Sequence, residues 1–418
     1  MEKIKYLDLF AGCGGLTEGF LKTNLFEEIA AVEWQKPQVE TLRKRLKDKW
    51  GYVDSETSVL HFDIQREEEL FNGWEDEKFG SSNGLDELVN NADGVDVIVG
   101  GPPCQAYSIA GRVRDENGMD DDYRNFLFEH YLKIVNRYRP KVIVFENVPG
   151  MLSAKPGGIV VTDAVREGFK AVGYDIVSDL KKYTQVNAKD YGVPQNRKRV
   201  IIIGIRSDLM SLTTNIENLL IEFYEKILPK YKSEKEYTVF DAIGDLSKFI
   251  PIYDEQSHSS RKAYIHVENS GKVLSSHKPR YHNIRDMETF HILARDIESG
   301  AEKYKDSKSI SLLYEEKVGS KSPIHRYHVL RKNQPSTTII AHLKKDGNRF
   351  IHFDSEQSRT LTPREAARIQ TFDDDFEFIA SQGASFEMIG NAVPPKLAEA
   401  IAFAVRDLMD ELFRSRGV

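Results

Sequence analysis

Cysteine is scarce in this chain, which holds two in 418 residues, and Cys104 occupies the run Gly-Gly-Pro-Pro-Cys-Gln-Ala-Tyr-Ser at 100–108. Pro102 and Pro103 fix φ at successive positions and donate no backbone hydrogen bond, so the loop is stiff and aims the thiol behind it. Glu146 follows the apolar run 142–145 in "KVIVFENV", and Arg197 and Arg199 stand two apart in "QNRKRV" at 195–200, on one face of an extended segment. Together these place a soft nucleophile, a carboxyl group and guanidinium groups around one pocket. A thiolate can add to C6 of a cytosine ring, turning C5 into an enamine carbon able to attack a methyl sulfonium. A carboxyl group at N3 and N4 would hold the base, and an arginine would steady the developing negative charge. Cys13 reads as a small buried packing residue.

A second cluster surrounds "DLFAGCGGLTEGF" at 8–20, where Gly12, Gly14 and Gly15 separate a strand from a helix and let a ligand approach the backbone. A dinucleotide fingerprint would need glycine at 17, and Thr17 stands there. The departure favours a nucleoside cofactor without a pyrophosphate, such as S-adenosyl-L-methionine. Glu33, after the second strand, is placed to accept both ribose hydroxyls. Trp34 offers a face for adenine, and Asp63 can accept from the adenine amino group.

The elements that must position these residues alternate. Apolar runs at 4–10, 29–32, 95–99 and 142–144 are separated by helical periods at 16–22, 39–46 and 126–138, the βαβ pattern of a doubly wound, mostly parallel sheet. Residues 73–94 are polar and read as a surface insertion, longer and more acidic than the fold requires. After Arg206 the alternation stops. The expected division is a catalytic and cofactor-binding α/β domain at 1–206, completed by 385–418, and a smaller irregular domain at 207–384. The overall charge is −7, yet 256–349 carries eighteen Lys and Arg against ten Asp and Glu. That segment also holds eight of the eleven histidines, interleaved with tyrosines, the mix expected where a surface meets phosphates and bases. No apolar run is long enough to span a membrane and no signal peptide is seen, so a cytoplasmic, monomeric protein is expected.

Six motifs in order, "DLFAGCGGLTEGF", "GGPPCQAYS", "ENV", "QNRKRV", "RTLTPREAARIQTF" (359–372) and "GNAVPP" (390–395), make the chain resemble the DNA (cytosine-5) methyltransferases, apart from its middle. The resemblance implies a Rossmann-like class I methyltransferase fold and attack by Cys104 on cytosine C6. Glu146 and Arg199, helped by Arg197, would stabilise the activated ring. It implies that Phe10, Gly12, Gly14, Leu16, Glu33, Trp34, Asp63, Pro103 and Asn391 surround S-adenosyl-L-methionine, which leaves as S-adenosyl-L-homocysteine, with no metal. The variable segment would recognise double-stranded DNA. The target base would be flipped out, and Gln105, Tyr107 and Ser108 would fill the gap or touch the backbone. The absence of further modules suggests a bacterial modification enzyme whose restriction endonuclease is a genetic, not physical, partner. The rival readings are a tRNA cytosine-5 methyltransferase on the same catalytic domain, an inactive DNA-binding homologue that should have lost members of the set, and a metal hydrolase using His325 and His328 or His277 and His282.

Overall fold

A computed structural model describes residues 2–102, 127–155, 158, 160–209, 215–253, 264–269, 274–319, 327–345 and 347–414. The chain forms two compact units, one of Met1–Gly192, Arg197–Lys235 and Ala392–Val418, the other of Val193–Asn196 and Glu236–Asn391.

The first unit is built on strands β1 (Ile4–Leu9), β2 (Phe26–Glu33), β3 (Val59–His61), β6 (Val97–Gly100), β7 (Val142–Asn147), β8 (Tyr174–Ile176), β9 (Gln185–Asn187) and β11 (Lys198–Arg206). They order as β3-β2-β1-β6-β7-β11-β8, with β9 also pairing on β11. β3, β2, β1, β6 and β7 run parallel, and β11 runs antiparallel to its three neighbours. Val97–Val99, Val142–Val144 and Ile201–Ile203 are fully buried, as central strands covered on both faces must be. The order reverses at β1, whose successor in sequence lies on one side and β6 on the other. That reversal opens a crevice at the carboxyl ends, where the 10–15 turn and the 101–102 segment emerge.

Helix α1 (Gly15–Lys22) is buried over nearly its whole length. The C-terminal helix Pro395–Arg414 lies against it so closely that a Cβ on Gly19 would fall 2.4 Å from the Ala398 Cβ. Residues 73–94 do more than decorate the surface. β4 (Trp74–Asp76) and β5 (Gly80–Ser82) form a hairpin, followed by the helix Leu85–Asn91. Trp74, Leu85 and Val89 are buried, three apolar anchors hidden in a polar composition.

The unit boundaries differ from those expected at 206 and 385. Residues 216–231 stay with the first unit because they pack on its sheet: the Tyr224 hydroxyl donates to the Ile201 carbonyl at 3.0 Å and accepts from the Ile203 N–H at 2.9 Å. The helix Gln382–Asn391 stays with the second, where the Gln370 amide donates to the Ile389 carbonyl. β10 (Gln195–Asn196) also belongs there, pairing with Ser336–Thr337.

In the second unit, "RTLTPREAARIQTF" supplies a polar core. Thr362 caps the helix Pro363–Ile369 in a capping box with Glu365, and Arg359, fully buried, pairs with the same carboxylate at 2.7 Å. His277 and His282, expected on a surface facing phosphates, are buried: His277 meets Thr362 Oγ1 and the Ser247 carbonyl, and His282 accepts from the Thr360 N–H. Their apolar setting, with Phe249 against His277 and Phe290 against His282, explains the difference.

Candidate active site

β7 carries Glu146 at the carboxyl edge of the sheet, and β11 runs back beside it with Ile201 opposite Glu146. Two residues earlier on β11, Arg199 donates from Nε to Glu146 Oε1 at 2.8 Å, both side chains being largely buried. Burial pushes the Glu146 carboxyl above its usual pKa, and the charges of Arg199 and Arg197 pull it back only in part. Arg197 does not share a strand face with Arg199. It lies in the break between β10 and β11, is fully buried, and donates from Nη2 to the Ala392 carbonyl at 2.9 Å. Both guanidinium groups nonetheless act electrostatically on Glu146.

Gly101 and Pro102, which precede the thiol in sequence, lie against this pair. A Cβ on Gly101 would lie 2.7 Å from Glu146 Oε2, so only glycine lets the backbone pass that closely. The Asn147 amide donates to the Pro102 carbonyl at 3.4 Å. Cys104, with Pro103, Gln105, Tyr107 and Ser108, lies outside the described residues.

The second cluster forms a cleft lined by Phe10, Val32, Glu33, Trp34, Phe62, Asp63, Ile64, Gln65 and Leu127. Four of the expected cofactor residues meet there: Phe10, Glu33, Trp34 and Asp63. Phe10 adopts a left-handed φ of 60° as the chain leaves β1. Glu33 has a task of its own. Its carboxylate accepts the Gly12 N–H at 3.0 Å, the Trp34 N–H at 3.0 Å and the Gln35 N–H at 2.8 Å. Three of its roughly four lone-pair sites are taken, leaving about one for a ligand rather than the two that a pair of ribose hydroxyls would use. Trp34 is 47% exposed, with the Lys78 ammonium 6.0 Å from the centre of its ring. Gly12 and Gly14, at φ 59° and 90°, shape the turn, while Leu16 is buried in α1. Asn391 ends the helix Gln382–Asn391 of the second unit, next to Ala392 of the first.

Sequence reasoning missed Phe62 and its support. The Trp74 indole of the insertion stacks on Phe62 with ring centroids 3.9 Å apart, and Phe79 meets the same ring edge-on at 5.3 Å. Arg66 ties the hairpin down through Asp76 at 2.6 Å. The insertion therefore backs one wall of the cleft. Leu127 on the helix Leu127–Tyr138 was visible only as an apolar position. Among the described residues no cluster of three or more His, Cys, Asp or Glu is placed to hold a metal.

A carboxyl group clamped by guanidinium beside the start of a Pro-Pro-Cys loop, next to an aromatic and acidic cleft, fits one known family over nearly the whole chain: residues 4–406 match C-5 cytosine-specific DNA methylase. The chain belongs to that family. It is a methyltransferase that acts at C5 of cytosine in DNA. It is 33% identical to the type II methyltransferase M.Bpa9945I of Bacillus paralicheniformis, over 97% of this chain and 99% of that one. It is 31% identical to M.NgoPII of Neisseria gonorrhoeae, covering 97% and 96%. In fold it is similar to a putative DNA modification methyltransferase encoded in an Escherichia coli prophage, with a TM-score of 0.61, 22% identity and coverage of 98% and 100%. The Dnmt2 methyltransferase of S. pombe follows at a TM-score of 0.54, 12% identity and coverage of 98% and 99%. In this methyltransferase the mostly parallel sheet sets the Glu146 clamp and the cleft at the carboxyl ends of neighbouring strands.

Proposed function

We propose that this methyltransferase modifies one cytosine within a specific double-stranded DNA sequence, as the cytoplasmic, monomeric modification enzyme of a restriction system, with the endonuclease as a genetic partner only. The observation that carries the reading is the Glu146–Arg199 clamp against Gly101, three residues before Cys104. The target base is flipped out of the duplex at a cost of a few kcal/mol. Cys104, deprotonated, bonds to C6. The electron pair displaced from the C5–C6 bond moves through the ring, and the carboxyl of Glu146, which burial makes easier to protonate, passes a proton to N3. Arg199 holds that carboxyl in place, and Arg197 adds positive potential behind it.

S-adenosyl-L-methionine supplies the methyl group and leaves as S-adenosyl-L-homocysteine. The cleft suits it: Trp34 offers a stacking face, Asp63 an acceptor, and Glu33 its remaining lone pair, with Phe10 and Phe62 as apolar walls. Pro103 and Asn391 are assigned to its surroundings, and Gly12, Gly14 and Leu16 to the turn that frames it. C5 takes the methyl group, solvent accepts the C5 proton, N3 returns its proton to Glu146, and the thiolate is eliminated to release C6. Gln105, Tyr107 and Ser108 are assigned to the DNA, with the second unit reading the sequence.

A duplex carrying 5-fluorocytosine tests the scheme, because fluorine at C5 cannot leave as a proton. A DNA–protein complex that survives denaturant should accumulate with wild-type protein and not with Cys104→Ser. Free protein in both would overturn it.

A further inference from the structure

Beneath the 10–15 turn lies a buried polar chain that the methyl-transfer chemistry does not use. Asp8 on β1 and Glu28 on β2 both contact the hydroxyl of Thr17 on α1, Asp8 Oδ2 at 2.8 Å and Glu28 Oε2 at 2.6 Å. The Tyr6 hydroxyl reaches the same Glu28 oxygen at 3.1 Å. Asp8 and Tyr6 are fully buried, Thr17 is 1% exposed and Glu28 3%. Among the described residues, Asp8 Oδ1 and Glu28 Oε1 have no hydrogen-bond partner.

Counting hydrogens decides the protonation. One threonine hydroxyl brings one hydrogen to two carboxyl contacts, so the second contact needs a hydrogen from a carboxyl group. Were both acids ionised, one contact would set lone pair against lone pair, with two uncompensated charges in the interior. Glu28 Oε2 also receives the Tyr6 hydroxyl, which makes Glu28 the acceptor end. The chain therefore runs Asp8 to Thr17 to Glu28, with Tyr6 donating from the other side. The surroundings agree: Glu28 and Glu33 of β2 disfavour a charge on Asp8, and the groups of Tyr6 and Tyr131 nearby are neutral phenols. Burial, then Glu28, pushes Asp8 well above the usual carboxylate range, while Glu28 rises to about 7.

We infer that Asp8 carries a resident proton which, through Thr17, fixes α1 to β1 and β2 and so positions the cofactor turn. Thr17, the residue that breaks the dinucleotide fingerprint, is the link. Asp8 and Thr17 are positioning residues: they act through Phe10 and Gly12, which follow β1 directly. The consequence for the cofactor rests on the S-adenosyl-L-methionine reading above; the proton does not.

The first measurement needs no variant and no cofactor. Infrared spectra of the full chain, with carbon-13 in aspartate or in glutamate carboxyls, should show at neutral pH a protonated carboxyl band that shifts with the aspartate label. Its absence would overturn the assignment. Asp8→Asn, whose amide can donate to Thr17 in place of the acid, should fold, lose the band and bind S-adenosyl-L-methionine within about threefold of wild type. Thr17→Val should raise KM for S-adenosyl-L-methionine about tenfold, the effect of losing a hydrogen bond to a charged group, while kcat at saturation changes less than threefold and Thr17→Ser restores binding. An unchanged KM in Thr17→Val would overturn the positioning role. Wild-type protein that shows the band but binds no S-adenosyl-L-methionine would instead refute the cofactor reading and leave the proton in place.

Discussion

Replacing Glu146 with glutamine isolates its charge, because the amide oxygen can still accept from Arg199 Nε across the same 2.8 Å. What disappears is the single negative charge facing two guanidinium groups, one fully buried and the other largely so. At an effective dielectric of about 20, a charge pair at roughly 4 Å is worth about 4 kcal/mol. Breaking buried pairs by removing one partner costs about 3 to 5 kcal/mol. The substitution should therefore destabilise the first unit by about 3 kcal/mol, lowering Tm by about 10 °C. Loss of a positioned carboxyl acid should cost about 100-fold to 10,000-fold in methyl transfer. The double variant Glu146→Gln, Arg199→Met removes the stranded cation, so it should regain about 1 to 2 kcal/mol while staying inactive. Thermal unfolding and transfer of a labelled methyl group to duplex DNA read the two effects separately. If Glu146→Gln melts within about 2 °C of wild type, or if the double variant is less stable than the single one, the clamp is not the electrostatic unit described.

Trp34→Ala should raise KM for S-adenosyl-L-methionine about tenfold, the worth of one base stacked on an aromatic face, with kcat nearly unchanged. Trp74→Ala, which removes the ring stacked on Phe62, should raise the same KM although it lies outside the cleft lining; titration calorimetry checks both. Gly15→Ala drives a methyl group into the Val393 carbonyl and should cost about 1 to 3 kcal/mol, whereas Gly383→Ala, with open space around it on a helix, should be neutral or stabilising in thermal melts. The units should respond to acid in opposite senses. In the second, burial lowers His266 and His352 to about 4 and His282 to about 3. Their folded pKa values lie below the unfolded value of about 6.5, so stability is full above it and is lost as pH falls towards 4, by about 3 kcal/mol for each of the first two. Glu365, lowered to about 2, adds a further loss below about pH 4. In the first unit, raised Asp8 and Glu28 make the folded state the better proton binder, so stability rises as pH falls through about 7. Hydrogen exchange should show amides of 284–298 losing protection at mildly acidic pH while those of β1 and β2 gain it; parallel loss in both would contradict the assignment.

The motifs were legible because each concentrates its chemistry within a few residues. The glycine turn, Glu146 at a strand end and the alternating elements follow from local pattern, and the sheet they predict is the sheet observed. What escaped depends on partners distant in the chain. Arg197 looked like the twin of Arg199 by alternation, yet a break in pairing turns it to the Ala392 carbonyl, far along the sequence. The role of 73–94 rests on one tryptophan meeting a phenylalanine twelve residues before it, inside a stretch whose composition argues for solvent. His277 and His282 looked like part of a nucleic-acid surface because counting cannot tell a buried imidazole from an exposed one.

The two units also bury polarity by different means, and the difference bears on what each must do. In the second, Arg359 answers Glu365 with a full countercharge, and Thr362, Gln357 and His352 complete the network. Such a core holds one arrangement while the surface above it varies, which suits the sequence-reading role proposed for this unit. In the first, Glu18 is answered by Arg45 and Trp50, but Asp8 and Glu28 have only hydroxyls. A proton on Asp8 removes one of the two charges and leaves at most that of Glu28 beneath the turn, so nothing there repels a cationic methyl donor.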